Sequence, residues 1–330
     1  MDDTILIRSA RFRQEREADW RKLSALVDKA ETKGLHRMSF AEARDLADLY
    51  RQATTSLSIA REISLDRGLL DYLEALTSRA YLSVYAPQQR LGGLVHRFLA
   101  IGGPQAIRSS WRVILLAFLC MAAGTVAGYF FYFENPDWFY VFMPTELSGG
   151  RGPDASTGYL RDQIYEAHGE SGLGAFATYL FSHNTRVAIF VFGLGAFLCA
   201  PSILLTFYNG LILGVFFALH VDRGLGWDLF GWISVHGVTE LSAICIACAG
   251  GVKLGLAVLF PQDKTRVAAL RAAGHDAVKL ALIAALMLVV AALLEGFARQ
   301  LIQDLTTRVA VGWGIGALWV LWFLRGGRNS

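Results

Sequence analysis

"RVILLAFLCMAAGTVAGYFFYF", residues 112–133, carries one charge at its first position and none after it. A helix rises about 1.5 Å per residue, so about 20 such residues cross the roughly 30 Å of hydrocarbon in a bilayer. The tract therefore reads as a membrane span, and the surrounding composition agrees. Of 330 residues, 54% are hydrophobic and 18% charged, where a soluble domain has about a quarter charged; the mean hydropathy is +0.39. Charge is crowded into residues 1–112 and thin beyond them. The expected fold is all-α: a polytopic helical membrane protein with an N-terminal cytoplasmic helical bundle.

Further along, residues 279–298 qualify as a second clean span and 308–324 as a short one. Residues 185–220 are too long for one ordinary span and hold Pro201 near the middle, which predicts two short helices joined by a tight turn. Residues 229–260 present the same problem in milder form. They predict one broken or tilted helix, or a re-entrant segment followed by a span. The count is six crossings, two of them broken or re-entrant, with five and seven as alternatives. Lys and Arg near the ends of spans set orientation. Arg108 and Arg112, the loop at 261–279 with Lys264, Arg266, Arg271 and Lys279, and Arg325 and Arg328 are all expected in the cytoplasm, as are both termini. Residues 134–183 are then extracytoplasmic, opening on "ENPDWFYVFMP", whose Trp138, Tyr140 and Phe142 suit the headgroup level.

Before the first span, three helical tracts fit residues 1–87, at about 13–32, 40–64 and 68–86, with Gly34 and "DRG" at 66–68 as breaks. Ser39 and Glu42 have the spacing of a capping box. Leu46, Leu49, Tyr50 and Leu57 share one face of the helix that follows. Residues 88–111 read as an interfacial amphipathic helix and linker, with Leu91, Leu94, Val95, Phe98 and Leu99 on one side and Arg90, His96 and Arg97 on the other. Residues 112–330 form the transmembrane domain.

Several function classes fall away. The net charge of +3 is small, and no basic helix or interleaved aromatic–Arg pattern points to nucleic acid. Cys120, Cys199, Cys245 and Cys248 all lie in apolar tracts, so no structural disulfide is expected. The N-terminus lacks a basic region followed by an apolar core, so no cleavable signal peptide is expected. No nucleophile elbow, phosphate loop or zinc-protease motif occurs, so the chain is expected not to be an enzyme and to use no cofactor. "CIAC" at 245–248 has apolar flanks and no second ligand pair, and reads as small packing residues.

"HNTRVAIFVFGLGAF", "LLTFYNGLILG", "HGVTELSAICIACAGGVKLG", the Pro and Arg of "FPQDKTR", and "LLEGF" occur in that order between residues 183 and 297. In order and spacing they resemble the stage II sporulation protein M family of integral membrane proteins. "FRQEREADWRKLSALVDKAE" and "DLYRQATTSLSIARE" are similar to a longer, non-sporulation branch with a cytoplasmic helical region. The resemblance implies an all-helical inner-membrane protein. In the sporulation branch it implies a scaffold that recruits peptidoglycan-degrading partners; in the longer branch it implies genes near a MoxR-type AAA ATPase. The partners expected on this footing are membrane lipids, other envelope proteins and that ATPase.

Small residues recur four apart, as Gly210 and Gly214, Gly251 and Gly255, Ala292 and Gly296, and Gly312 and Gly316. Such spacing lets helix backbones approach closely in lipid, within one chain or between copies in a homo-oligomer. Lys253 reads as a residue reaching the cytoplasmic interface. Four polar groups remain inside the spans: Asn209, His236, Glu240 and Glu295. A mid-membrane carboxylate is costly by about 2.5–3.5 kcal/mol on the gentlest scale and so faces a partner or a wet cavity. His236 and Glu240 stand at i and i+4, on one helical face. The readings are a structural polar clamp, a proton- or ion-coupled path, or a metal site with Glu295. If a clamp, both side chains are expected to serve each other or a helix break near Asn209 and Gly210. At the level of the molecule, the two functions left open are an envelope scaffold and a transporter or channel built on discontinuous helices.

Overall fold

The computed structural model describes residues 2–63, 66–85, 91–165, 170–298, 302 and 304–328, and every element among them is helical. The chain divides into two compact units, residues 1–94 and 95–330.

The first unit packs α1 (Asp2–Lys33), α2 (Phe40–Ile63) and α3 (Arg67–Tyr85) around one apolar core. Trp20, Leu23 and Val27 of α1 meet Leu46, Leu49 and Ala53 of α2 and Leu69, Leu73 and Leu76 of α3. Each set is spaced three or four apart, which is why these sequences bury one stripe each. Gly34 ends α1 with φ of 81°, a left-handed conformation that glycine adopts without Cβ strain. Ser39 and Glu42 cap α2 reciprocally: the Ser39 amide donates to Glu42 Oε2 at 2.9 Å, and the Glu42 amide donates to Ser39 Oγ at 3.2 Å. Lys22 with Asp45 and Arg79 with Asp28 and Glu31 tie the helices at the surface.

The second unit begins within α4 (Leu91–Arg97), which passes through a π turn (Phe98–Gly102) into α5 (Gly103–Ser109). Leu94, Val95 and Leu99 are exposed, while Phe98 turns into the core. Then come α6 (Trp111–Glu134), the short helices α7 (Trp138–Phe142), α8 (Thr145–Ser148) and α9 (Thr157–Tyr165), and the long helices α10 (Glu170–Gly195), α11 (Ala200–Asp222) and α12 (Gly226–Leu259). The unit ends with α13 (Arg266–Leu293), its π turn (Leu294–Ala298) and α14 (Leu305–Arg325). Among the described residues, five helices are long and apolar enough to cross a membrane: α6, α11, α12, α13 with its π turn, and α14. Beside them lies α10, 26 residues long, parallel to α12: Asn184 meets Glu240, and eleven residues on in both helices Gly195 meets Gly251.

Of the expected breaks, the tight turn beside Pro201 is present, whereas those in 229–260 and near Asn209 are not. Helix α12 runs unbroken for 34 residues. It contains no proline, and its interior glycines Gly231, Gly237, Gly250, Gly251 and Gly255 are buried, so packing outweighs weak propensity. Helix α11 is also continuous through Asn209 and Gly210. The chain turns instead at residues 196–199, just ahead of Pro201 in the first turn of α11, where a missing N–H costs nothing. That turn is tight enough to hold Leu198 and Cys199 at φ of 67° and 66°, a region uncommon for side chains with a Cβ. The two helices it joins are full-length rather than short. The loop expected at 261–279 shrinks to residues 260–265, because α13 starts at Arg266 with Thr265 as its cap. Among its described residues, the segment after α6 up to residue 183 holds α7 to α9 and the first half of α10.

Opposite ends of this bundle differ in character. At one end, Lys253 donates to Ser110 Oγ and Asp276 Oδ2, both at 3.0 Å, so it bridges helices rather than reaching for an interface. Arg108 there donates to the last carbonyls of α14, Phe323 at 2.7 Å and Gly326 at 2.6 Å, acceptors left unpaired by the end of the helix. At the other end, α7 to α9 form a cap whose Phe139, Met143, Leu160 and Ile164 pack on the ends of α11 and α12. Tyr132 donates to Asp222 at 3.3 Å, Tyr165 donates to Asp228, and Arg223 donates to the Pro153 carbonyl. The bond to Asp228 raises the Tyr165 phenol above its ordinary range.

Candidate functional site: a polar cavity inside the bundle

Glycines decide how closely the helices around the cavity approach. A Cβ on Gly124 or Gly128 of α6 would strike the Phe207 or Leu211 carbonyl oxygen of α11. One on Gly210 or Gly214 would strike the Met121 or Thr125 carbonyl oxygen of α6. Two Gly-x-x-x-Gly faces thus lie against each other, backbone on backbone. Gly251 and Gly255 of α12 receive Gly195 and the turn at Cys199, and Gly312 of α14 abuts the Ser234 carbonyl. Among the described residues Gly296 meets nothing within 4 Å, so the Ala292–Gly296 pair makes no comparable contact there. Gly124 and Gly128 carry the same four-residue spacing as the pairs read from the sequence.

Between α10, α11 and α12, under the α7–α8 segment, lies a cavity of about 140 Å³. Its walls are mostly apolar, with His183 and Asn184 from α10, Asn209 from α11, His236 and Glu240 from α12, and Arg151 from the segment after α8. Trp232, His236 and Glu240 recur every four residues, so one stripe of α12 faces it from the cap end to mid-helix. Ile244 continues that stripe at the deep end, and the residues below it, Cys245, Ala247, Cys248 and Ala249, are buried in the apolar core.

Glu240 finds its hydrogen-bond partner on another helix: Asn184 Nδ2 donates to Oε1. His236 Nε2 stands 3.9 Å from Glu240 Oε2, beyond hydrogen-bond reach. The two side chains therefore stand at the limit of ion-pair distance in one cavity without a hydrogen bond between them. Asn209 Nδ2 donates to the Leu205 carbonyl at 2.8 Å within an intact helix, so there is no broken backbone for His236 and Glu240 to serve. Glu295 is buried in the π turn after α13 and does not line this cavity. The structure brings together three of the four polar residues singled out by sequence.

Asn184, His183 and Arg151 were missed. His183 and Asn184 sit at the edge of the tract read as a span from residue 185, and would have entered it had α10 been started earlier. Arg151 lies thirty-three residues before Asn184 in a segment with no span signature, and nothing local marks it as buried. Its Nε donates to the Ser148 carbonyl at 2.8 Å, and its guanidinium carbon lies 5.0 Å from the Phe216 ring centre and 6.0 Å from that of Trp232, within cation–π range. Among the described residues no group of three or more His, Cys, Asp or Glu converges as a metal site would need, so the three-ligand reading with Glu295 has no geometric support. All four cysteines are free thiols, and Cys245 and Cys248 are buried.

Comparison with known families gives two matches. Residues 10–86 match a domain of unknown function, DUF8413. Residues 116–298, more than half of the chain, match the model described as Stage II sporulation protein M. No curated protein and no solved structure matches the chain. The second match spans α6 to the π turn after α13, and so takes in the glycine faces of α6, α11 and α12, the buried carboxylate and the turn before Pro201; a helical membrane protein with these features belongs to the stage II sporulation protein M family.

Proposed function

We propose that the protein is a scaffold of the bacterial inner (cytoplasmic) membrane, with both termini cytoplasmic, that holds cell-envelope partners in fixed geometry. The observation that carries this reading is the backbone-to-backbone contact of Gly124 and Gly128 with Gly210 and Gly214. Helices seated this closely cannot slide or rotate past one another without collision, which suits a rigid frame better than a rocking one. The frame presents a helical cap at one end, and the chain carries a separate three-helix unit, two surfaces on which partners can dock. Lys264, Arg266, Arg271, Lys279 and Arg325 lie at the end away from the cap, which supports a cytoplasmic assignment for that end. By family analogy the partners are peptidoglycan-remodelling proteins and a MoxR-type ATPase, and the chain forms a homo-oligomer. The role is non-enzymatic. Affinity purification of the full chain from membranes after in vivo cross-linking is expected to recover envelope proteins through the N-terminal unit or the cap. Purified protein that moves solutes or ions in liposomes, with no partner recovered, overturns the scaffold.

The cavity favours a second reading, transport. A carboxylate halfway along α12 in a space shared with the cap is what a solute or proton path would use. On that reading Glu240→Gln abolishes flux and leaves the fold intact.

A further inference from the structure

The cavity is lined by a carboxyl at one end and a guanidinium at the other. Glu240 stands at the deep end, 9% exposed, and Arg151 stands at the cap end, 7% exposed. We propose that the cavity binds a small zwitterion bearing a primary ammonium group and an anionic group, the ammonium at Glu240 and the anionic group at Arg151. The proposal does not depend on whether the protein is a scaffold.

The deep end is built from acceptors. Asn184 donates to one Glu240 oxygen, and the other lies 3.9 Å from His236 Nε2. That gap is too long for a hydrogen bond, yet a donor seated between the two atoms reaches each at about 2.9 Å. Asn209 gives one amide N–H to the Leu205 carbonyl, and its side-chain oxygen is an acceptor on the cavity wall. An ammonium group supplies three N–H donors that such a set can accept. At the cap end a guanidinium is the side chain best suited to a carboxylate or phosphate, which it grips with two parallel N–H bonds. Arg151 is positioned for this by the Ser148 and Leu147 carbonyls and by the Phe216 and Trp232 rings. Between the ends the lining is apolar, from Ile212, Phe216 and Ile233, and matches a short carbon spacer. A zwitterion brings an ammonium to the carboxyl and an anion to the guanidinium, so both ends are paired in a low-dielectric space, which a ligand with a single charge cannot do. A volume of about 140 Å³ lies below the roughly 300–1,000 Å³ of drug-sized pockets, which limits the ligand to amino-acid size. The same chemistry occurs in free amino acids and in the ethanolamine phosphate headgroup of a lipid.

The test uses the full-length protein in detergent and reads its thermal midpoint against ligand concentration. Glycine, β-alanine, γ-aminobutyrate and phosphoethanolamine form one arm, and short-chain phosphatidylethanolamine the second. Propylamine, propionate, the trimethylated form of γ-aminobutyrate and short-chain phosphatidylcholine are the controls. At least one primary-ammonium zwitterion is expected to raise the midpoint in a saturable way. The amine, the acid and the quaternary analogues, which lack one end or the N–H donors, are expected not to. A response confined to phosphatidylethanolamine assigns the headgroup as the source, and one to the free compounds assigns a solute. Glu240→Gln and Arg151→Gln are each expected to weaken the response about tenfold or more. Should either variant misfold, the wild-type ligand series decides alone. No shift with any zwitterion, equal shifts with the single-ended or quaternary compounds, or an undiminished response in folded Glu240→Gln overturns the proposal.

Discussion

His236 and Glu240 lie four residues apart, and spacing alone makes them each other's natural partner, yet the bond to Glu240 comes from Asn184 on a neighbouring helix. This changes what substitutions should do. Glu240→Gln keeps an oxygen for Asn184 to bond and is expected to leave the thermal midpoint in detergent near wild type. Glu240→Leu strands the amide and should cost about 1–3 kcal/mol, the usual penalty for an unmet buried polar group. In a double-mutant cycle, Asn184→Leu with Glu240→Leu should cost clearly less than the sum of the single changes. The cycle of His236→Leu with Glu240→Leu should lie closer to additive, and a larger coupling there than with Asn184 would reverse the assignment. Glu42, in the water-exposed unit, supplies a second test. Its hydrogen bond from Lys29, with help from the Ser39 amide, lowers its pKa below the usual 4.5. A carboxyl lowered on folding stabilises the fold above its unfolded pKa and loses that contribution as pH falls through the folded value. Amide exchange in the first turn of α2 should therefore quicken as pH drops below about 4.5, after correction for intrinsic rates, and Glu42→Gln should remove the dependence.

Helices in lipid gain little from burying apolar side chains against one another, so backbone proximity carries much of the specificity between elements. Gly312 and Gly314 of α14 provide the contrast. They stand two apart on nearly opposite sides of one helix. A Cβ at Gly312 would collide with the Ser234 carbonyl, and one at Gly314 meets nothing within 4 Å. Gly312→Ala should lower stability by about 1–3 kcal/mol, the range for overpacking. Gly314→Ala should be neutral or gain up to about 1 kcal/mol from improved helix propensity. Gly128→Leu and Gly214→Leu should each destabilise the α6–α11 pair. Their combination should not add, because both open the same seam. Unfolding of the variants in mixed micelles reads all of these. The spacing of Gly210 and Gly214 was legible in the sequence; that their partner is the matching pair in α6 was not, because a repeat of small residues says how close a backbone can come and not which one.

At the scale of the molecule, the basic residues gather at the end of the bundle away from the cap, and the cap is a folded layer of α7 to α9. A cysteine placed at Ser156 in a background lacking the native cysteines should react with a membrane-impermeant maleimide in intact spheroplasts, and one placed at Lys264 should react only after lysis. The reverse pattern would invert the topology. That the chain is helical, lives in a membrane and carries a charged helical N-terminal region could be read from residues 1–133 alone, because apolar runs and three-and-four spacing are local and the bilayer admits few alternatives. Family membership was readable from motif order between residues 183 and 297. The continuity of α12 was not, since weak helix formers such as Gly231, Gly237 and Gly250 are held helical by neighbours that the local sequence does not name. Nor was the cavity: Arg151, Asn184, Asn209 and Glu240 span 89 positions and come together only when α10, α11 and α12 pack beneath the cap. Periodicity along a chain specifies which side of a helix is buried, but the identity of what is buried against it depends on contacts between residues far apart in sequence, and only the tertiary structure decides those.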